Sequence, residues 1–450
     1  MLSPSNKPSS LKDVLRTSIP AVVDLSSQTV AWLIEAIFIG NLSAAALAGV
    51  GLALQIIILT FTVVLTFVVG ASIIIVRYLG ADDQWNANHV LAQALILGTI
   101  LSFIIALVWF FGGTQIFGII REDVPNAKLY GIQYMQTVSY FGPLIIVNFI
   151  ALGIIRMAGD TMITMKVNLF ANTVHLFLSY GLIFGAFGLP RLEAQGAAIA
   201  VGIAHSLAFF ITLYYLRSRK SCLFLSVKEF ASPNFDTFKR LFRLGLPTTI
   251  EQLVWAAGQL VLSFYAGLLG VVVLAAHQVF VRIQSVLTMA FQGFGLASMT
   301  LVGKNIGADD KRQALRSGYT AGMVAFFAAV GAGLVLLLFK DAWFNIFTNN
   351  EAVIRYGTEV VFVLALIQAP KAVNIVFTGN LRGGADLNWL MWLAISSVLT
   401  FEVVSAYGLT FIFGFSLAGL WLIQGVDESV RLAFNIWRFR QSKWHKNPLL

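Results

Sequence analysis

The chain has 450 residues, 58% of them hydrophobic and 11% charged, with a formal net charge of +9. Soluble domains carry about a quarter charged residues, so this balance excludes a water-soluble globular protein. The chain belongs in a bilayer, where a spanning helix needs about twenty consecutive apolar residues and must satisfy its own backbone hydrogen bonds.

Read between interruptions by Gly, Pro, Asn, Asp and charge, the chain predicts helical segments near residues 14–40, 47–76, 89–112, 130–156, 164–186 and 194–216. A second set follows near 245–268, 274–302, 314–339, 355–380, 388–413 and 417–437, giving twelve segments in all. An even number of crossings places both termini on one side. Of 30 Lys and Arg, 23 fall at the termini or in loops on their side. Five fall opposite (Arg121, Lys128, Arg191, Lys340 and Arg355), while Arg282 and Lys371 lie inside segments. The positive-inside rule then makes both termini cytoplasmic, in a multi-pass protein of the plasma (inner) membrane.

This asymmetry accounts for the net charge without nucleic acid, which would need a basic face on a soluble domain. The expected surroundings are the lipid bilayer, with the chain acting as a monomer. The polar opening residues are not expected to form a cleavable signal peptide. A single cysteine, Cys222, excludes an intrachain disulfide and leaves no metal constellation, so no metal or other cofactor is expected.

The stretch RYLGADDQW at Arg77–Trp85 returns as KNIGADDKR at Lys304–Arg312, an offset of 227 residues. The same offset relates Pro20 and Asp24 to Pro247 and Glu251, Pro143 to Pro370, and Tyr180, Gly181 and Leu182 to Tyr407, Gly408 and Leu409. A one-residue slip aligns Asn148, Arg156 and Asp160 with Asn374, Arg382 and Asp386. The expected fold is therefore all-α, with twelve transmembrane helices in two six-helix bundles related by a pseudo-twofold axis along the membrane normal. The lobes are expected at residues 1–216 and 244–450, joined by a basic cytoplasmic linker at 217–243. In the repeated island, Gly80 and Gly307 are expected to end helices, and the Asp pairs to cap the helices that follow.

Acids at the centre of a membrane helix cost about 2.5–3.5 kcal/mol each and need a reason. The first segment holds Asp24 and Glu35, eleven residues apart and on one face with Gln28. The fifth holds Asn168, Asn172, His175 and Ser179 at spacings of four, three and four, a polar stripe expected to face the first segment. Asn168 and Ser179 read as interhelical hydrogen-bonding groups, at about 0.6 kcal/mol each. Glu35 reads as a titrating group that loads and unloads a proton, with Asn172 and His175 beside it. In the second half, Lys371 follows Pro370, and Glu251 or Glu402 is its expected partner. Glu402 stands where His175 stands in the first repeat. These three residues, with Asp24, Gln28 and Asn148, are candidates for the cavity or its gating. His205 and His277 read as packing residues. Pro143 and Pro370 allow bending of the fourth segment of each half.

The stretch EAIFIGNLSAAALAGVG at Glu35–Gly51 resembles the first-helix signature of the multidrug and toxic compound extrusion (MATE) family. LGLPTTIEQL at Leu244–Leu253, LAAHQ at Leu274–Gln278 and LRGGAD at Leu381–Asp386 resemble its second half. The resemblance implies export of amphipathic organic cations in exchange for H+ or Na+, by alternating access of two lobes. It puts Glu35 in the place of the family's ion-binding Asp. His175 replaces a usual Asn, and Ser179 and Tyr180 replace an Asp-Pro pair. Lys371 occupies a position where some Na+-coupled members carry an acid, which favours H+. The alternative is a lipid-linked saccharide flippase, whose cavity would use Arg282 and Lys371 to receive pyrophosphate. An intramembrane enzyme would need a nucleophile with a paired base, or an H-E-x-x-H motif, and neither is present. A channel would line its pore with repeated polar residues.

Overall fold

The computed structural model describes residues 11–119, 126–226, 233–348, 350–442 and 444. Lys7, Arg121, Lys228, Lys443 and Lys446 of the charge count lie outside them, as does the middle of the crossover, 227–232. Regular structure in the described residues is helical throughout. The first repeat forms α1 (Leu11–Gly40), α2 (Ala44–Gly80), α3 (Gln84–Ile119), α4 (Ala127–Met157), α5 (Thr161–Phe184) and α6 (Glu193–Arg217). The second forms α7 (Phe235–Leu268), α8 (Val271–Gly307), α9 (Lys311–Leu338), α10 (Lys340–Phe347), α11 (Glu351–Gly383), α12 (Leu387–Ile412) and α13 (Ser416–Gln441).

Ten of these helices are long and apolar enough to cross a membrane. The other two expected crossings, α7 and α13, carry clusters of charge, including Lys239, Arg240, Arg243 and Glu251 in α7 and Asp427, Glu428 and Arg431 in α13. The short α10 was not expected; it is anchored by Phe344, buried against Phe280. Helix α7 starts earlier than the sequence suggested, because the Asn234 side chain accepts the Thr237 N–H (3.1 Å) and caps it. Residues 235–243 of the expected linker are thus its first turns.

The helices pack by the same pattern in each repeat: α3 on α4, α4 on α6 and α5 on α6 in the first, α9 on α11, α11 on α13 and α12 on α13 in the second. Large apolar side chains point outward, as a lipid-facing surface requires. Phe103, Leu107 and Phe111 form such a stripe along α3 at i, i+4, i+8.

Two compact units result. One comprises the described parts of Met1–Val22, Val76–Asp82 and Leu246–Leu450; the other Val23–Ile75 and the described part of Asp83–Gly245. The start of α1 therefore counts with the second repeat, where Val14 joins Phe291, Ala325 and Val376 in one apolar cluster. The start of α7 counts with the first, where a Cβ on Gly245 would collide with the Thr66 backbone oxygen.

The repeated island shows why its glycines are needed. Asp83 and Asp310 accept the N–H groups of Asn86 (3.1 Å) and Gln313 (2.9 Å), the expected caps of α3 and α9. The left-handed residues that follow the helix ends are Asp82 and Asp309, at φ 60° and 57°, rather than glycines. Gly80 and Gly307 end α2 and α8 as expected, and they also serve close approach. A Cβ on Gly80 would collide with the Lys304 backbone oxygen, and one on Gly307 with that of Arg77, its repeat counterpart. Gly80→Ala or Gly307→Ala is expected to force these two helix ends apart at about 1–3 kcal/mol, the cost of overpacking. A lower thermal unfolding midpoint in detergent checks this, with Gly51→Ala, where a Cβ meets nothing within 4 Å, as the neutral control.

Helix α12 breaks the symmetry. Asp160 matches Asp386 at an offset of 226, whereas Tyr180 matches Tyr407 at 227, so α12 contains one inserted residue relative to α5. A helix absorbs an extra residue by widening to i→i+5 bonding, and α12 is π-helical over Val398–Ser405 and Gly408–Ile412. The Ser405 hydroxyl also donates to the carbonyl of Thr400, five residues back (2.7 Å).

Candidate functional site

The polar face of α1 and the polar stripe of α5 meet, as their periodicities require. Asp24 is fully buried; its Oδ2 accepts from Arg156 Nε (2.9 Å) and its Oδ1 from Asn168 Nδ2 (2.6 Å). One turn further on, Asn172 Nδ2 donates to Ser27 Oγ (3.2 Å). Beyond these lies Glu35, whose Oε1 is 3.3 Å from His175 Nε2, both side chains almost wholly buried. Among the described residues neither of those two atoms has a hydrogen-bond partner. Gln28 is half-buried and joins neither cluster. Asn148 accepts from Thr212 Oγ1 (2.9 Å) and ties α4 to α6, away from Glu35.

Two further groups reach this pair. Tyr134 of α4 is buried within electrostatic range of Glu35, and His205 of α6 lies within range of His175. The sequence reading left Tyr134 out and placed His205 in packing. His277 does pack as expected, 3.1 Å from Ser263 Oγ and against the Trp421 ring.

In the second repeat the expected pairings change partners. Glu251 pairs with Arg382 (3.0 Å), not with Lys371. This copies Asp24 with Arg156 at the repeat offset, so both carboxylates are occupied by the same ion pair of the fold. Lys371 faces Glu428 of α13 (3.4 Å), not Glu402, and sits over the Trp255 ring at 5.7 Å. Glu428 also accepts from Asn374 (2.7 Å) and approaches Arg431 (3.3 Å), which pairs with Asp427 (2.8 Å). Asp427 and Glu428 were missed because the charges of α13 read as its cytoplasmic end. Arg431 was counted there for the same reason, and Arg77, Arg156 and Arg382 were counted as loop residues; all four are buried or half-buried in helices. Arg156, Arg382 and Arg431 each answer an acid, on another helix or one turn away, which shields their charge from lipid.

An aromatic triad stands one turn from each of positions 35 and 175 and their repeat counterparts. Phe38, Tyr180 and Phe184 contact one another at 5.6, 6.1 and 5.3 Å between ring centres. Tyr265, Tyr407 and Phe411 repeat the arrangement at 5.9, 5.7 and 5.1 Å. Tyr180 and Tyr407 are each about half exposed.

Comparison with known proteins agrees with this architecture. The MatE family profile matches residues 20–181 and again 247–408, two blocks separated by the 227-residue offset of the internal repeat. The chain is 26% identical over 446 residues to a probable multidrug resistance protein NorM of Thermotoga maritima, covering 98% of this chain and 94% of that one. It is 26% identical to the multidrug resistance protein NorM of Vibrio cholerae, covering 92% and 94%. A crystal structure of MATE in complex with MaL6 superposes with a TM-score of 0.89 at 22% identity, over 97% of each chain, and shares the fold. With both repeats matched in order and across most of its length, the chain belongs to the MatE family.

Proposed function

We propose that the protein is a secondary active multidrug efflux transporter of the plasma (inner) membrane that exports amphipathic organic cations in exchange for H+. In this reading two six-helix lobes, residues 1–216 and 244–450, alternate in access, with the linker 217–243 and both termini in the cytoplasm. The observation that carries it is the Glu35–His175 pair, a buried carboxylate facing an imidazole at 3.3 Å, the facing atoms having no hydrogen-bond partner among the described residues. One proton sets the charge of such a pair, so its loading and release change the electrostatics of the α1–α5 interface by a full unit.

Two features support the details. The partner of Glu35 is a nitrogen base, whereas a hard alkali cation is held by several oxygens, which favours H+ over Na+. The half-exposed aromatic triads beside positions 35 and 402 offer ring faces to an organic cation, each such contact contributing about 0.5–1 kcal/mol. The flippase reading loses ground because Lys371 already faces Glu428. Uptake of a fluorescent organic cation into inside-out vesicles, with pH and sodium gradients imposed separately, tests the reading. Accumulation is expected to follow the pH gradient; accumulation driven by sodium alone would overturn H+ coupling.

A further inference from the structure

We propose that Glu402 is a second proton-binding site, housed in the second repeat and separate from Glu35 and His175. The proposal concerns proton binding by the folded chain and does not depend on Glu35 being the coupling residue. Glu402 is fully buried, and neither carboxylate oxygen receives a hydrogen bond from a described protein group. A buried polar group without partners is costly, and a site that retains one has a use for it.

The surrounding charges identify that use. Asp427, Arg431 and Glu428 from α13 and Lys371 from α11 all act on Glu402 electrostatically, and Glu251 of α7 acts on Arg431. Glu251 is itself answered by Arg382. Around Glu402 there remain two cations, Lys371 and Arg431, and they already face Glu428 and Asp427. Glu402 is the surplus acid, and one proton on its carboxylate brings this group of charges to neutrality.

Size selects the proton among cations. A Cβ on Gly258 of α7 would collide with Glu402 Oε2 and come within 2.8 Å of Val398, so an organic cation does not fit beside the carboxylate. Among the described residues no three His, Cys, Asp or Glu side chains are placed to hold a metal ion. Asp427 is engaged by Arg431 and by the Ser397 hydroxyl, and Glu428 by Lys371 and Asn374.

The backbone supports a role in movement. Glu402 lies within the π-helical stretch that one inserted residue creates in α12 and that α5 lacks. Segments of this kind are strained relative to an α-helix and recur at functional sites. Release of the proton from Glu402 leaves three carboxylates facing two cations across α11, α12 and α13, a charge change applied at the π-helical part of α12.

Infrared difference spectra of the full-length protein in lipid nanodiscs, recorded as pH is stepped, test the assignment. The wild type is expected to show the carbonyl stretch of a carboxylic acid that appears and vanishes with pH. Glu402→Gln should lose this band and take up one proton fewer per chain, while Glu35→Gln should keep it. Gly258→Ala retains the carboxylate but crowds it, and should displace the band or its midpoint. A titrating band unchanged in Glu402→Gln would overturn the proposal. So would the lack of any pH-sensitive carboxylic acid band in the wild type. If Glu402→Gln does not fold, a Gly258→Ala spectrum identical to wild type counts equally against it.

Discussion

Glu35→Gln is expected to abolish pH-driven accumulation of an organic cation in proteoliposomes while leaving binding of that cation intact. For an exchange of one proton against one monovalent cation, each pH unit supports about a tenfold concentration ratio, from about 1.4 kcal/mol per proton. The glutamine fills the same volume and keeps polar contact with His175, but it cannot lose a proton. The accumulation ratio should therefore fall from about tenfold per pH unit to about one. Glu35→Asp should restore part of the ratio, because the acid is kept although its carboxylate is drawn back from the imidazole by one methylene. Wild-type accumulation ratios in the glutamine variant would remove Glu35 from the coupling role. Loss of binding together with transport would place Glu35 in substrate recognition instead.

The α1–α5 interface was legible in the sequence because two helical periodicities converge on it. Asp24 and Glu35 share a face by spacing alone, Asn168, Asn172 and His175 share another, and few apolar partners compete for such faces inside a lipid-facing bundle. The repeat was legible for a similar reason, as one fixed offset carries prolines, glycines and acids together. The pairing in the second repeat was not legible. Lys371 has Glu251, Glu402 and Glu428 within helical reach, and only packing decides that α13 brings Glu428 to it while Arg382 takes Glu251. The charges of α13 were misleading because Asp427, Glu428 and Arg431 satisfy one another within a turn, as a buried helix can but a hydropathy reading does not see. The role of Gly80 and Gly307 was also hidden, since close approach of two chain segments far apart in sequence leaves no local signature.

Arg156→Ala is expected to be the most destabilising single change in the first repeat, and to act on folding rather than on coupling. Asp24 is fully shielded from solvent, and with Arg156 gone only Asn168, among the described residues, would remain to support its charge. Removing one partner of a buried ion pair costs about 3–5 kcal/mol, because the other charge is left uncompensated. The variant should therefore give little monodisperse protein on size exclusion and a sharply lower unfolding midpoint. The double variant Asp24→Asn with Arg156→Gln removes both charges, keeps the polar shape, and should recover most of the loss, giving a favourable interaction term in the mutant cycle. It should also retain pH-driven accumulation. That outcome would separate the pair Asp24–Arg156, which the second repeat copies as Glu251–Arg382, from the proton chemistry of Glu35. A double variant that folds but fails to accumulate the cation would return Asp24 to the transport cycle and make the α1–α5 polar face a relay of two acids rather than one.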